Sequence, residues 1–176
     1  METHRPYPAP VVVDASSAIL LYKSRLLEQW EKDYAITFTP AVFRELTRPG
    51  YPGAQDFARM ADRVSPLPPP GDGEPRLEQL GAGERESILY VYRREKQGFL
   101  VVDDGAAARF CRDRGIRFIN ALLVPRIFYY NGRLSRDEFR DAEGVVISHG
   151  RYSPEILRRA RAMDRTHLAY FLKEKI

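Results

Sequence analysis

Five acids stand where a cation site would need them: Asp14, Glu45, Glu84, Asp103 and Asp104. Asp14 follows the β-branched run Val11, Val12, Val13, and Asp103 and Asp104 follow the apolar run at 99–102. In an open parallel sheet, ligands bind outside the carboxyl ends of the strands, near the point where strand order reverses. Both runs aim their acids at that edge. Each acid also has a local explanation: a turn or helix cap for the aspartates, a first helical turn for Glu84 and Glu86, an outward helical position for Glu45. Brought together, they repel unless a cation or a proton resolves the charge. Hard oxygen donors with no matching His or Cys suit Mg²⁺ or Mn²⁺ rather than zinc. Such an ion activates water and stabilises a phosphodiester during in-line displacement.

The elements that must position these acids alternate in type. Short apolar runs at 11–13, 35–39, 99–102 and 117–119 predict strands. Helices are predicted over 15–23, with Ser16 and Ser17 as cap residues, and over 25–32, 40–47, 53–63 and 83–97. Thr39-Pro40 supplies a cap followed by proline at the first helical position, and Gly98 stops the helix at 83–97. Further helices are expected over 106–114, 121–130, 135–142 and 153–172, the last broken near Asp164. Strands of three to five residues separated by helices predict an α/β domain with a parallel sheet. The aromatic run Phe128, Tyr129, Tyr130 reads as part of a core-facing helix, and Cys111 as a small buried residue.

Composition narrows the class. The chain has 176 residues, with 28 Lys and Arg against 24 Asp and Glu, a formal net charge of +4. That length suits one domain, at about 100–200 residues each. Charge balances over residues 1–150, and the whole excess falls in 151–176, where seven basic side chains stand against three acidic ones. A basic stretch of this kind can meet a polyanion or form a solvated helix face. The lone Cys111 excludes a disulfide framework and a multi-cysteine zinc site, and fits a reducing cytoplasm. No apolar run approaches the roughly 18–20 residues of a membrane helix, and the first residues lack the layout of a secretory signal. The expectation is a cytoplasmic protein. His4, His149 and His167 read as surface or packing residues, and the Pro- and Gly-rich stretch at 65–75 as an exposed loop.

Four segments, taken in order, resemble a PIN domain of the subgroup found in bacteria and archaea. They are Val-Val-Val-Asp14-Ala-Ser16-Ser17, then Pro40-Ala-Val-Phe-Arg-Glu45-Leu, Leu80-Gly-Ala-Gly-Glu84-Arg-Glu86-Ser-Ile and Leu100-Val-Val-Asp103-Asp104-Gly-Ala-Ala-Ala-Arg109. The segment Arg151-Tyr-Ser-Pro-Glu-Ile-Leu is similar to a C-terminal helix of that subgroup. The resemblance implies a three-layer α/β/α fold with a central parallel sheet of four or five strands. It implies a PIN-like domain over 1–150 with a basic helical extension, 151–176, packed on it. It also implies a Mg²⁺- or Mn²⁺-dependent ribonuclease, often the toxin of a toxin–antitoxin pair, commonly homodimeric and held inactive by a small antitoxin protein.

Carried over residue by residue, Asp14 is the first acid and Ser16 its hydroxyl neighbour, with Glu45 second and Glu84 third. Glu86 is an alternative to Glu84. The fourth acid is Asp103 or Asp104, because a one-residue shift at the strand end exchanges which side chain faces the site. Many PIN ribonucleases carry Asp as the third acid, and this chain departs from them with Glu84. RNA would be attracted by Arg109 and Arg112 beside the fourth segment and by Arg158, Arg159 and Arg161 in the extension. The competing expectation is a non-catalytic PIN-like module that binds RNA or protein without an ion. Other Mg²⁺-dependent phosphoryl enzymes fit poorly, since the chain has no Gly-Lys-Ser/Thr phosphate loop and Ser16 stands where a haloacid-dehalogenase-type phosphatase has its second Asp.

Overall fold

The computed structural model describes residues 9–66 and 74–173, so His4 and the Pro/Gly stretch at 68–73 lie outside the described residues. The chain begins with β1 (Pro10–Val13), α1 (Ala15–Lys23), α2 (Leu27–Asp33) and β2 (Ala35–Thr37). It continues with α3 (Pro40–Leu46), α4 (Ala54–Ala58), a 3-10 turn (Ala61–Arg63), α5 (Pro75–Glu78) and α6 (Ala82–Arg93). Then come β3 (Phe99–Val101), α7 (Gly105–Asp113), β4 (Phe118–Ile119) and a 3-10 turn (Ala121–Leu123). Helices α8 (Val124–Tyr130), α9 (Arg136–His149) and α10 (Pro154–Ala162) and a last 3-10 turn (Ala169–Phe171) complete it.

All strand pairs are parallel, in the order β2-β1-β3-β4. Side chains alternate between the two faces of a strand. Val11, Val13, Phe99 and Val101 accordingly join Leu21, Trp30, Ile127, Phe128 and Val146 on one face. Val12 and Leu100 join Ile88 and Val91 of α6 and Phe110 and Cys111 of α7 on the other. This is a three-layer α/β/α fold around a four-stranded sheet. The three valines of β1 are fully enclosed, and each such burial is worth about 1.5–3 kcal/mol. Ala160, Leu168 and Leu172 enter the larger core, so the segment beyond α9 shares it. No helix of the described residues is long and apolar enough to cross a membrane.

Several boundaries differ from those the sequence predicts. Helix α6 ends at Arg93 rather than Gln97, because Glu95 and Lys96 adopt left-handed φ values of 55° and 60° and Lys96 N–H closes back on Val91 O. Gly98 follows with φ +79° against the Pro10 carbonyl, where a Cβ would overlap the backbone. Only glycine starts β3 so close to β1. Arg25, expected inside a helix, takes φ 59° in the turn before α2. The stretch 53–63 splits into α4 and a 3-10 turn, and 121–130 into a 3-10 turn and α8. Strand β2 stops at Thr37, and Phe38 instead makes a parallel bridge to Val64. Helix α9 runs through Gly144 to His149 because Ala142 and Val146 both bury on its inner side. The long helix expected to Leu172 ends at Ala162, ahead of Asp164.

Candidate active site at the carboxyl edge of the sheet

Strand β2 follows β1 on one side and β3 joins β1 on the other, so strand order reverses between β1 and β3. The residues that leave these two strands therefore meet at the position where open sheets bind ligands. Asp14 leaves β1 and caps α1: its Oδ1 accepts the Ser17 N–H at 2.7 Å. The cap is thus Asp14 itself, not Ser16 or Ser17. The Ser16 hydroxyl lies 3.3 Å from both Asp14 oxygens. Asp103 comes off β3, and its Oδ2 accepts the Ser17 hydroxyl at 3.3 Å, so one serine touches both aspartates. Asp103 Oδ1 accepts the Ala121 N–H and the Tyr152 hydroxyl, each at 3.1 Å.

Burial dominates the electrostatics. It pushes the Asp14 carboxyl up to about 7, against lowering by the Ser17 hydrogen bonds, and the Asp103 and Glu84 charges add to the rise. Burial also raises the Asp103 carboxyl, partly offset by the donors from Ala121, Tyr152 and Ser17. Burial and the charges of Asp103 and Asp14 push the Tyr152 hydroxyl up. Among the described residues no Lys or Arg stands within ion-pair distance of Asp14 or Asp103. A buried Asp14 and a half-buried Asp103, hard oxygen donors without a counter-charge among the described residues, fit a Mg²⁺- or Mn²⁺-type ion. As folded, however, no three His, Cys, Asp or Glu side chains of the described residues converge closely enough to hold one.

The other acids sit at varied distances from this pair. Helices α3 and α6 approach closely at Gly83, where a Cβ would lie 3.2 Å from Val42 Cγ2 and 3.9 Å from Glu45 Oε2. Glu45 is exposed, with its carboxylate beside the first turn of α6. Glu84 lies in that turn, and its carboxylate folds back over Gly81. Asp104, the other candidate for the fourth acid, turns away from the pair: it is exposed and caps α7 by accepting Ala106 and Ala107 N–H at 2.9 and 2.8 Å. Glu86, the alternative to Glu84, accepts the Ala41 N–H at 2.7 Å and so caps α3. Thr39, expected to cap α3, leaves its buried hydroxyl without a partner among the described residues.

The arginines also separate. Arg109 is exposed and reaches back to within 4.0 Å of a Cβ position on Gly105, at the site end of α7. Arg112 lies in the last turn of α7, carried away from that end rather than beside the acids. Arg158, Arg159 and Arg161 are exposed on α10, with Arg159 paired to Glu155 one turn earlier. Ser17 and Tyr152 are the contributors that sequence reasoning passes over. Ser17 reads as cap chemistry, and the Tyr152–Asp103 contact spans 49 residues, beyond any local pattern.

A family model described as a PIN domain matches residues 10–159. The chain belongs to the PIN domain family. PIN domains are generally nucleases that use divalent metals. Neither the curated proteins nor the solved structures contain a match to this PIN domain.

Proposed function

We propose that this PIN domain is a Mg²⁺- or Mn²⁺-dependent endoribonuclease and the toxin of a toxin–antitoxin pair. The observation that carries the proposal is the meeting of Asp14 and Asp103 on Ser17, which lies 86 residues from Asp103 in the chain, with no Lys or Arg of the described residues paired to either acid. Asp14 and Asp103 would hold the ion, and Glu45 and Glu84 would complete its shell directly or through water. The ion, when bound, supplies charge stabilisation for the phosphodiester and lowers the pKa of the attacking water. Ser16 and Ser17 hold the Asp14 carboxylate in one orientation. Arg109 and the α10 arginines Arg158, Arg159 and Arg161 draw in the RNA backbone, and Arg112 adds only to the wider field. An antitoxin segment bearing Arg or Lys would replace the cation among the carboxylates. Homodimerisation follows from the same family reading.

The test is cleavage of single-stranded RNA with Mn²⁺, comparing the native chain with Asp14→Asn. Asparagine keeps the helix cap, so the fold survives. Activity is expected to fall by more than the about 10–100-fold that outer-shell changes cost metal sites. Undiminished cleavage in that variant would falsify the proposal.

One observation favours a second reading, a PIN domain that binds RNA or protein without cutting. No three acids of the described residues converge as folded, and Asp103 already accepts three hydrogen bonds. RNA binding that persists in a chain with no measurable Mn²⁺ affinity would decide for this reading.

A further inference from the structure

Tyr152 stands in the corner between α9 and α10, two residues before Pro154 opens α10, and its hydroxyl donates to Asp103 Oδ1. The lone pairs of Asp103 show what this bond does. A carboxylate has about four acceptor sites, two on each oxygen. Both sites of Oδ1 are taken, by Ala121 N–H and by the Tyr152 hydroxyl. Among the described residues Oδ2 accepts only the Ser17 hydroxyl, at a longer 3.3 Å, which leaves it one acceptor site. The terminal torsion of an Asp side chain is broad and roughly two-fold, so the two oxygens exchange readily unless donors distinguish them. Two donors on Oδ1 do so.

A second feature shows that the ring is seated by design of the corner. Gly150 has φ −86° and ψ 171°, extended backbone that any residue adopts. Its need for glycine is spatial: a Cβ there would overlap Cε2 and Cδ2 of the Tyr152 ring. The bare Cα of Gly150 is the floor on which the ring lies.

We infer that Tyr152 is a positioning residue for Asp103, latched onto Gly150, which holds Oδ1 and leaves Oδ2 as the oxygen presented to a divalent cation. This rests on the metal-dependent reading above and extends it to a residue outside the acid set. The latch also ties α10, with its exposed arginines, to the carboxylate edge.

The experiment is a Mn²⁺ titration of the full chain, read by paramagnetic resonance of the free ion. It compares the native protein with Tyr152→Phe and Gly150→Ala, with RNA-cleavage kinetics and melting temperature measured in parallel. Tyr152→Phe keeps the ring and removes only the hydroxyl. Gly150→Ala keeps the hydroxyl and displaces the ring. Both are expected to weaken Mn²⁺ binding by about tenfold. Each lowers kcat with KM for RNA unchanged, and Tyr152→Phe keeps a melting temperature close to the native one. If Tyr152→Phe binds Mn²⁺ as tightly as the native chain, the positioning role is overturned while the nuclease reading stands. If the native chain itself binds no Mn²⁺, the metal-dependent reading falls and this inference falls with it.

Discussion

Asp14 both caps α1 and lies 1% exposed beside Asp103, with Glu84 adding negative charge, and its carboxyl is pushed up to about 7. In the unfolded chain an Asp titrates near 3.8. The folded, metal-free protein therefore binds more protons than the unfolded chain between these values. By linkage, the contribution of Asp14 to stability is greatest below about pH 4 and is lost as pH rises from there through about 7. The full separation corresponds to at most about 4 kcal/mol. Thermal melts in a chelator should show the native chain losing stability from pH 5 to pH 8. Asp14→Asn, which keeps the cap without the charge, should be more stable than the native chain at pH 8. A native melting temperature that rises across this window would contradict the burial argument. At the same scale, Asp103 and Asp104 are adjacent yet separate in role, since one enters the pair and the other caps α7.

Helices α3 and α6 show how one element completes another. The first turn of α3 is closed by Glu86 of α6, through the Ala41 N–H, because proline occupies its first position and Thr39 makes no cap bond. Glu86→Ala should cost about 1 kcal/mol, as for a lost cap, and lower the melting temperature by about 2–4 °C. Glu86→Gln keeps an acceptor oxygen and should cost less. Urea denaturation of both variants checks the order, and equal stabilities would remove Glu86 from the cap. The same pairing sets the distance between Glu45 and the first turn of α6 at Gly83, so loosening it also disturbs the acids at the sheet edge.

Across the whole molecule, the chain beyond α10 is fastened at the side of the sheet opposite the acids. Asp33, 1% exposed, accepts Arg133 Nε and Nη2 at 2.7 and 2.6 Å and Lys173 Nζ at 2.8 Å. The Tyr34 hydroxyl donates to Phe171 O at 2.7 Å, and the Tyr170 hydroxyl to Gly98 O at 2.9 Å. Burial alone would raise the Asp33 carboxyl, but the hydrogen bonds and charges of Arg133 and Lys173 hold it below its ordinary value. Its contribution to stability is present above the unfolded Asp range and disappears as pH falls through the lowered value. Asp33→Asn should therefore destabilise by about 3 kcal/mol at pH 7, the lower end for a broken buried pair because Arg133 stays partly in water. The difference should shrink toward pH 2 in denaturant melts, and a constant gap would contradict it. This fastening also revises the basic tail. Lys173 neutralises Asp33, and Arg165 donates to Tyr130 O. Part of the +4 excess thus serves docking of the chain on itself, and Arg158, Arg159 and Arg161 remain as exposed charge on α10, Arg159 beside Glu155 of the same helix.

Local chemistry made the architecture legible in advance. The valines of β1, the apolar run of β3 and Pro40 at a helix start act within a few residues, where periodicity and capping operate. So the alternation of strands and helices, the parallel sheet and the aspartates at two strand ends could all be read from the sequence. The end of α9 could not, because Gly144 inside a helix is tolerated only once Ala142 and Val146 have a core to enter. Nor could the sequence separate Asp103 from Asp104, or assign Glu86, Tyr152 and Asp33 their partners. Those contacts join residues 45, 49 and 100 or more positions apart. They exist only because strand order places β1 beside β3, α3 packs on α6, and the last segment returns to the start of the sheet. Sequence patterning chose which residues are buried or turned; tertiary packing chose which buried and turned residues meet.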